Sequence, residues 1–550
     1  MTPNGRLAIV RGHAPGNDRI DGITVVDTST GNKLPLQGSH PNTGLGGYRN
    51  PSDFVQATNS RAILIGGRDT DTIPGEDTTY VDVLAFDMAT TPPTVTCISH
   101  HELGGPSQPA GRVSDVEITP DETFAIVNSR NWIHVVRLSD GSIAQGFYLY
   151  AAPYAGYCEP GFQADSVATT DTTAVVTTTR LETSGAVTKS RVWVYLIDLS
   201  EAQDPAVQFE HNLSYSDTFD PVDYDPHDLA ITPNGQFAVV AASEVVGVYD
   251  LTSKTFLARY KTLDQGIRLF SETVDSVVVT NSRAVVVGKD RAGAQPPYSH
   301  LWTLYTFALP PDPASYPAMS PLYSFSSRTL GNGYSLDPPH DLAIDSSGTK
   351  AVIRTFNHAV VLTDLNAVPP SAPTLTLFDL GAATPQRVGG QSQWAFASDS
   401  VQIAPDFWVE VPIGGGSGHR HYALVTGYNT TTRDAYVDVI DLASSPPSAA
   451  HTFTIDDPTP EDLRILPADI ELGIARDFWV RFDAPGEPTA GLGTGLDVGH
   501  FGLDPLAEIA FFGGKGKVWA VDSMVRRRAV AGSVAEDVQF GTGLVHIVRP

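Results

Sequence analysis

The sequence predicts an all-β repeat protein, and three observations carry that expectation. An aspartate recurs at the opening of a short strand, an apolar run ending in a polar turn recurs in step with it, and no amphipathic helix longer than about ten residues interrupts the series. Each unit reads as a short strand, a turn, two further strands, a polar turn and a fourth strand. Such units are too thin to bury their own faces and must stack on their neighbours. The reading is therefore one large β-propeller of four-stranded blades spanning residues 1–550.

The clearest units run from Pro226-His227-Asp228-Leu229-Ala230-Ile231 and from Pro339-His340-Asp341-Leu342-Ala343-Ile344. In each, a Gly turn follows (Gly235, Gly348), then two apolar strands. The opening aspartate recurs as Asp53, Asp115, Asp165, Asp228, Asp275, Asp341, Asp399, Asp462 and Asp537, at intervals of 47 to 75 residues. Third strands are expected at 23–27, 81–87, 133–137, 192–198, 246–250, 301–307, 359–364, 436–441 and 518–522. That gives nine units, or eight blades if the Asp462 unit, with its Gly-rich insert near 485–500, is irregular.

The two ends look complementary. Residues 6–11, 23–27 and 33–36 supply a second, third and fourth strand, and 537–540 supply a first. Closing one blade with both ends would remove exposed strand edges. Residues 544–549 then repeat the pattern of 7–11 and leave one second strand redundant.

Composition fits a globular chain, with 41% hydrophobic and 18% charged residues, and 49 Gly and 41 Pro suit many tight turns. Thirty-five basic residues against 62 acidic ones give a net charge of −27. That surface repels phosphate backbones and tolerates or attracts cations, which argues against nucleic acid and anionic membranes as primary partners. Only eight of the basic residues are Lys, which suits either a biased genome or a high-salt habitat. No apolar run reaches the roughly eighteen residues of a spanning helix. The first repeat lacks its front end, so the chain reads as beginning downstream of a leader, with a cytoplasmic protein as the alternative. Cys97 and Cys158 form either a disulfide within one blade or two separate thiols.

The runs beginning at Thr2-Pro3-Asn4-Gly5 and at Pro226-His227 resemble the YVTN-type repeats of bacterial and archaeal surface proteins. These belong with the lactonase-like and quinoprotein amine dehydrogenase-like propellers. The resemblance implies a secreted or envelope-associated propeller, usually a binding platform and sometimes an enzyme. The sequence departs from that pattern where the Pro-Asn-Gly turn degrades to Thr-Asn-Ser-Arg, Thr-Thr-Asp-Thr or Thr-Pro-Asp-Glu.

Several residues are candidates for a site. The marker carboxylates could ring a cation; the alternative, and the preferred reading, is a per-blade structural job accepting backbone N–H groups. The residue before each marker varies (Ser52, Ser114, Ala164, His227, Val274, His340, Ser398, Glu461, Glu536). A fixed structural role needs no such variety. His227, His340, Glu461 and Glu536 are therefore read as lining a channel mouth able to hold a metal or a ligand, with a solvated polar mouth as the plainer reading.

Asp217, Asp220, Asp223 and Asp225, just ahead of Asp228, form an oxygen-rich stretch suited to Ca²⁺, and Asp69, Asp71, Glu76 and Asp77 form a weaker one. His419 and His421 flank Arg420 after a Gly-rich approach, and Asp-Phe-Trp-Val occurs at 406–409 and again at 477–480. His101-Glu102 begins a zinc-protease motif but meets Gly105 where the second His belongs. No nucleophile elbow, Walker loop or dinucleotide fingerprint occurs. The expected function is a non-catalytic binding or scaffold protein of the surface or secreted space, binding a protein or small molecule at the mouth or the blade loops. The alternative is a propeller enzyme of lactonase or quinoprotein dehydrogenase type.

Overall fold

The computed structural model describes residues 2, 7–13, 20–27, 32–37, 55–68, 78–105, 108–109, 113–129, 132–149, 166–184, 187–200, 205–213, 226–242, 245–261, 267–268, 276–290, 302–310, 319–330, 339–345, 347–355, 358–365, 373–379, 401–403, 407–409, 418–420, 422–428, 435–455, 471–472, 509–514, 517–522, 534–540 and 543–549. The chain is almost all β, and many of its sheets are four-stranded antiparallel meanders, the form of a propeller blade. Seven of the nine expected third strands fall inside strands of the structure, and the other two, 301–307 and 359–364, overlap Trp302–Ala308 and His358–Thr363 but for one end residue each.

The chain forms two compact units. One holds Ser114–Arg137 and Ile143–Leu377; the other holds Met1–Val113, Leu138–Ser142 and Phe378–Pro550. In the first unit, consecutive strands pair in order to give four-stranded sheets over 113–148, 167–212, 226–261 and 339–379, while in a five-stranded one over 267–326 both 267–268 and 277–279 pair with 283–290. In the second, residues 7–34 form three strands and 401–455 form four. A six-stranded sheet there uses the strands from 36 to 105, with Gln108–Pro109 pairing at its edge.

Sheets in each unit meet through apolar faces. Strand sequences alternate so that one set of side chains meets the sheet before and the other the sheet after. Phe124, Ile126 and Val135 meet Val176, Tyr195 and Ile197. Val175, Val194 and Leu196 meet Ala238, Val240 and Tyr249, and Val239, Val246 and Val248 meet Val286, Tyr305 and Phe307. Inner strands such as Phe237–Ala242 and Val245–Asp250 are therefore buried along their whole length, whereas the fourth strand Thr255–Lys261 is mostly half-exposed.

Two classes of sheet alternate along the chain. In the long-start class the first strand has six residues with the marker third: Val113–Ile118, Pro226–Ile231 and Pro339–Ile344. In the short-start class it has three and begins two residues after the marker: Val55–Ala57, Val167–Thr169, Val277–Val279 and Val401–Ile403. The long-start markers Asp115, Asp228 and Asp341 are each 113 residues apart, so the repeat is a pair of sheets.

The following turns differ in the same alternation, so the departures from Pro-Asn-Gly after Thr58 and Thr170 are a different turn, whereas Thr-Pro-Asp-Glu at 119–122 is the same turn with Glu122 in the Gly place. Long-start turns close over five residues, with N–H donated from Thr119 to Phe124, Thr232 to Phe237 and Asp345 to Lys350 at 2.8–2.9 Å. Each needs a left-handed residue, supplied by Glu122 (φ 59°), Gly235 (69°) and Gly348 (67°). Short-start turns close over three residues, from Thr58 to Arg61, Thr170 to Thr173 and Thr280 to Arg283, each at 2.8 Å. They have no left-handed position and need no glycine.

The ends pair differently from the expected closure. Val534–Phe540 runs against Gly543–Arg549, which lies parallel to Lys517–Asp522. Leu7–His13 pairs with Ile20–Asp27, and no pairing with 537–540 is among those described. The strand at 544–549, expected to be a redundant second strand, thus lies between Lys517–Asp522 and Val534–Phe540, which forms the edge of the sheet. Near the other end, Asn32–Leu34 is the fourth strand expected at 33–36, but Leu36–Gln37 crosses to lie parallel on Val95 and Thr96, adding a strand to the next sheet's outer edge.

Candidate functional site

The marker aspartates are built into the seams between sheets. Asp115 and Asp228 are 3% and 1% exposed. Oδ1 of Asp115 accepts the N–H of Val116 at 2.7 Å, and its Oδ2 accepts those of Ser166 and Val167 in the next sheet at 2.8 and 2.7 Å. Asp228 repeats this with Leu229 at 2.7 Å and with Ser276 and Val277 at 2.7 and 2.5 Å. Asp341 accepts Leu342 N–H at 2.8 Å in the same way. A buried carboxylate needs such donors, and Asp115 and Asp228 each clamp the start of a short-start strand. Asp228 is therefore occupied by its own sheet junction and does not extend the acidic stretch ahead of it.

Beside each clamp the chain bulges. Pro226 faces Ala242 and Asp228 faces Ala241, so His227 is the extra residue. Pro339 faces Thr355 and Asp341 faces Arg354, so His340 is the extra residue of an identical bulge. Bulges re-aim side chains and gather at functional sites. Glu536 lies in the strand Val534–Phe540 opposite Ile547, and Asp537 opposite His546. Glu461, Asp462, Asp53, Asp165, Asp275 and Asp399 lie outside the described residues, as do Asp217, Asp220, Asp223, Asp225, Asp69, Asp71, Glu76, Asp77 and Cys158. No group of three or more metal-ligating side chains occurs among the described residues. Gly418–Arg420 and Phe407–Val409 pair in a separate two-stranded ribbon, with Trp408 opposite His419.

Three histidine settings have no counterpart in the sequence reading. His100, on the fourth strand Thr94–Gly105, sits opposite Asp82, and its Nδ1 lies 2.7 Å from Asp82 Oδ1. Tyr80 stacks on the ring at 5.0 Å. Asp82 is nearly enclosed and His100 about a quarter exposed, so the carboxylate orients an imidazole that reaches solvent. Nearby, the buried Cys97 thiol is pushed up to about 11 by burial and by Asp82, and it donates to Ser99 O at 3.4 Å; such a thiol is unreactive.

His134 is buried against Trp132, and burial brings its pKa down to about 4. His211 joins two sheets: its Nδ1 is 2.9 Å from the hydroxyl of the enclosed Tyr249, and Phe256 stacks on it at 4.3 Å. Burial, then Arg259, lowers the His211 pKa. His134 is a lone polar side chain on an apolar strand, whereas His100 and His211 lie on mixed outer strands, and all three become informative only once cross-strand register is known.

No protein-family model matches the chain, and no curated protein matches it in sequence. Solved structures similar to it include a form of KlHsv2 with one loop replaced by a Gly-Ser linker, 9% identical over 73% of this chain and 99% of that one, at a TM-score of 0.34. The dihydro-heme d1 dehydrogenase NirN is 11% identical over 83% of this chain and 74% of its own, at 0.35. The Pseudomonas aeruginosa periplasmic gluconolactonase PpgL is 14% identical over 68% and 98%, at 0.33. Likenesses this distant do not bear on what this chain does.

Proposed function

We propose that this chain is a YVTN-type propeller of the secreted space or cell surface that acts as a non-catalytic binding or scaffold protein. The observation that supports this is the fate of the recurring acid. Asp115 and Asp228 spend both carboxylate oxygens on backbone N–H groups, so the repeat's commonest ionisable residue serves packing. The positions left for recognition are the varied ones beside it, with His227 and His340 at the bulges and Glu461 and Glu536 at the corresponding places. The ligand is a small molecule or a protein contacting this mouth or the loops.

The second reading is a propeller enzyme of lactonase or quinoprotein dehydrogenase type, favoured by the duplicated His bulges. Incubation with lactones, and with pyrroloquinoline quinone plus an electron acceptor, separates the two. The scaffold reading expects no turnover; turnover that His227→Ala abolishes would establish the enzyme.

We also propose Ca²⁺ at Asp217, Asp220, Asp223 and Asp225, where hard oxygen donors and the net charge of −27 favour a divalent cation. Ca²⁺ restored after EDTA should raise the melting temperature more than Mg²⁺ at equal ionic strength. Asp220→Asn/Asp223→Asn should remove that preference. Equal responses to the two ions mean ordinary screening and no site.

A further inference from the structure

We infer that the cooperative unit of this molecule is the pair of sheets joined by a carboxylate clamp, not the single sheet. Two kinds of seam alternate. At Asp115 and Asp228 a buried carboxylate accepts N–H groups from the first strand of the following sheet. Reinforcement runs the same way: Thr169 Oγ1 donates to Ile118 O at 3.1 Å, and Asn128 Nδ2 donates to Ser166 Oγ and Thr177 O at 2.9 and 3.1 Å. All these bonds lie at or near the first strands, and those of Asp115, Asn128 and Ser166 are enclosed.

The seams between pairs are made otherwise. From the Asp165 sheet to the Asp228 sheet the polar contacts include Lys254 Nζ to Asp198 Oδ2 at 2.5 Å and His211 to Tyr249, made by third and fourth strands and a turn and not by the first strands. Glycine lets the backbones approach here: a Cβ on Gly247 would lie 2.5 Å from Leu213 Cδ1, and one on Gly348 2.8 Å from Thr280 Cγ2. Apart from the partly exposed Lys254–Asp198 pair, such seams hold by apolar area and close fit, which weaken together as soon as the faces part. Clamped seams keep ionic hydrogen bonds whose loss would strand buried N–H groups. Partial opening therefore separates pair from pair, and the two sheets within a pair open together.

Native-state hydrogen exchange of the whole chain in rising denaturant, read by mass spectrometry, tests this. Peptides covering Phe124–Ser129 and Val187–Asp198 should share one opening midpoint. Peptides covering Phe237–Ala242 and Arg283–Asp290 should share a second, distinct one. Asp228→Asn should split the second midpoint and leave the first in place. A common midpoint for all four segments, or one shared by Val187–Asp198 and Phe237–Ala242 alone, would overturn the inference. The wild-type pattern decides the matter even where the variant does not fold.

Discussion

The seam between the Asp115 and Asp165 sheets and the seam between the Asp165 and Asp228 sheets bury comparable apolar faces, yet they use different chemistry. The first spends a charged group to fix where a short strand begins; the second spends absent side chains to let two sheets approach. Recognition of backbone N–H groups by a carboxylate is directional, so it specifies register, whereas close packing specifies distance. Alternating the two fixes both along the chain without asking any one seam to supply both. The short-start strands illustrate the effect: three residues are a minimal ladder, and Val167–Thr169 and Val277–Val279 are held at their first N–H groups from the sheet before.

The sharpest way to break this comparison is Asp228→Ala. It leaves three buried N–H groups without their acceptor, an expected cost of about 3–5 kcal/mol, read as a fall in the urea midpoint at unchanged slope. A loss under about 1 kcal/mol would mean the clamp is incidental. At the other kind of seam, Gly247→Ala should cost about 1–3 kcal/mol by overpacking against Leu213. Leu213→Ala should recover part of that loss, so a double-mutant cycle should show favourable coupling; additive losses would refute close fit as the cause.

Serine variants compare the two clamped seams with each other. Ser166→Ala removes one of the two acceptors of the Asn128 amide and should cost about 1–2 kcal/mol. Ser276, whose buried Oγ has no partner among the described residues, should tolerate alanine almost without loss. Equal costs in the two variants would show that the seams are not distinguished by this hydroxyl.

The smallest effect is the pH dependence of His211. Its folded pKa lies below the ordinary imidazole value, so its contribution is present in full above about 6.5 and is lost as pH falls through the folded value. His211→Gln should flatten the stability profile between pH 7 and 5 in peptides of the Asp165 and Asp228 sheets. An unchanged profile would remove His211 from the acid response.

Much of the fold was legible because the second and third strands are the most buried part of each unit. Several third strands end in an aspartate that caps its own turn, as Asp250 does by accepting Thr252 N–H at 2.9 Å and Asp441 by accepting Ala443 N–H at 2.8 Å. The period of two sheets was missed for a physical reason. Its signal sits in turn length and in the residues after the marker, Ser-Val at 166–167, 276–277 and 400–401 against Val or Leu at 116, 229 and 342. Single-unit comparison reads those differences as drift. The His227 and His340 positions were found, but their bulges depend on cross-strand register. The Asp82–His100 pair was not found because neither residue recurs.

A repeat of 113 residues sets rules for how such a chain can be lengthened or shortened. Excising one sheet would leave a carboxylate facing another six-residue strand, or two three-residue strands in succession with no acid between them. Excising residues 115–227 instead brings Asp228 into the place of Asp115, with Ser276 and Val277 still in front of it. Duplication within this lineage is thus expected to leave copies in twos, and a designer grafting new loops should treat two sheets as the smallest cassette.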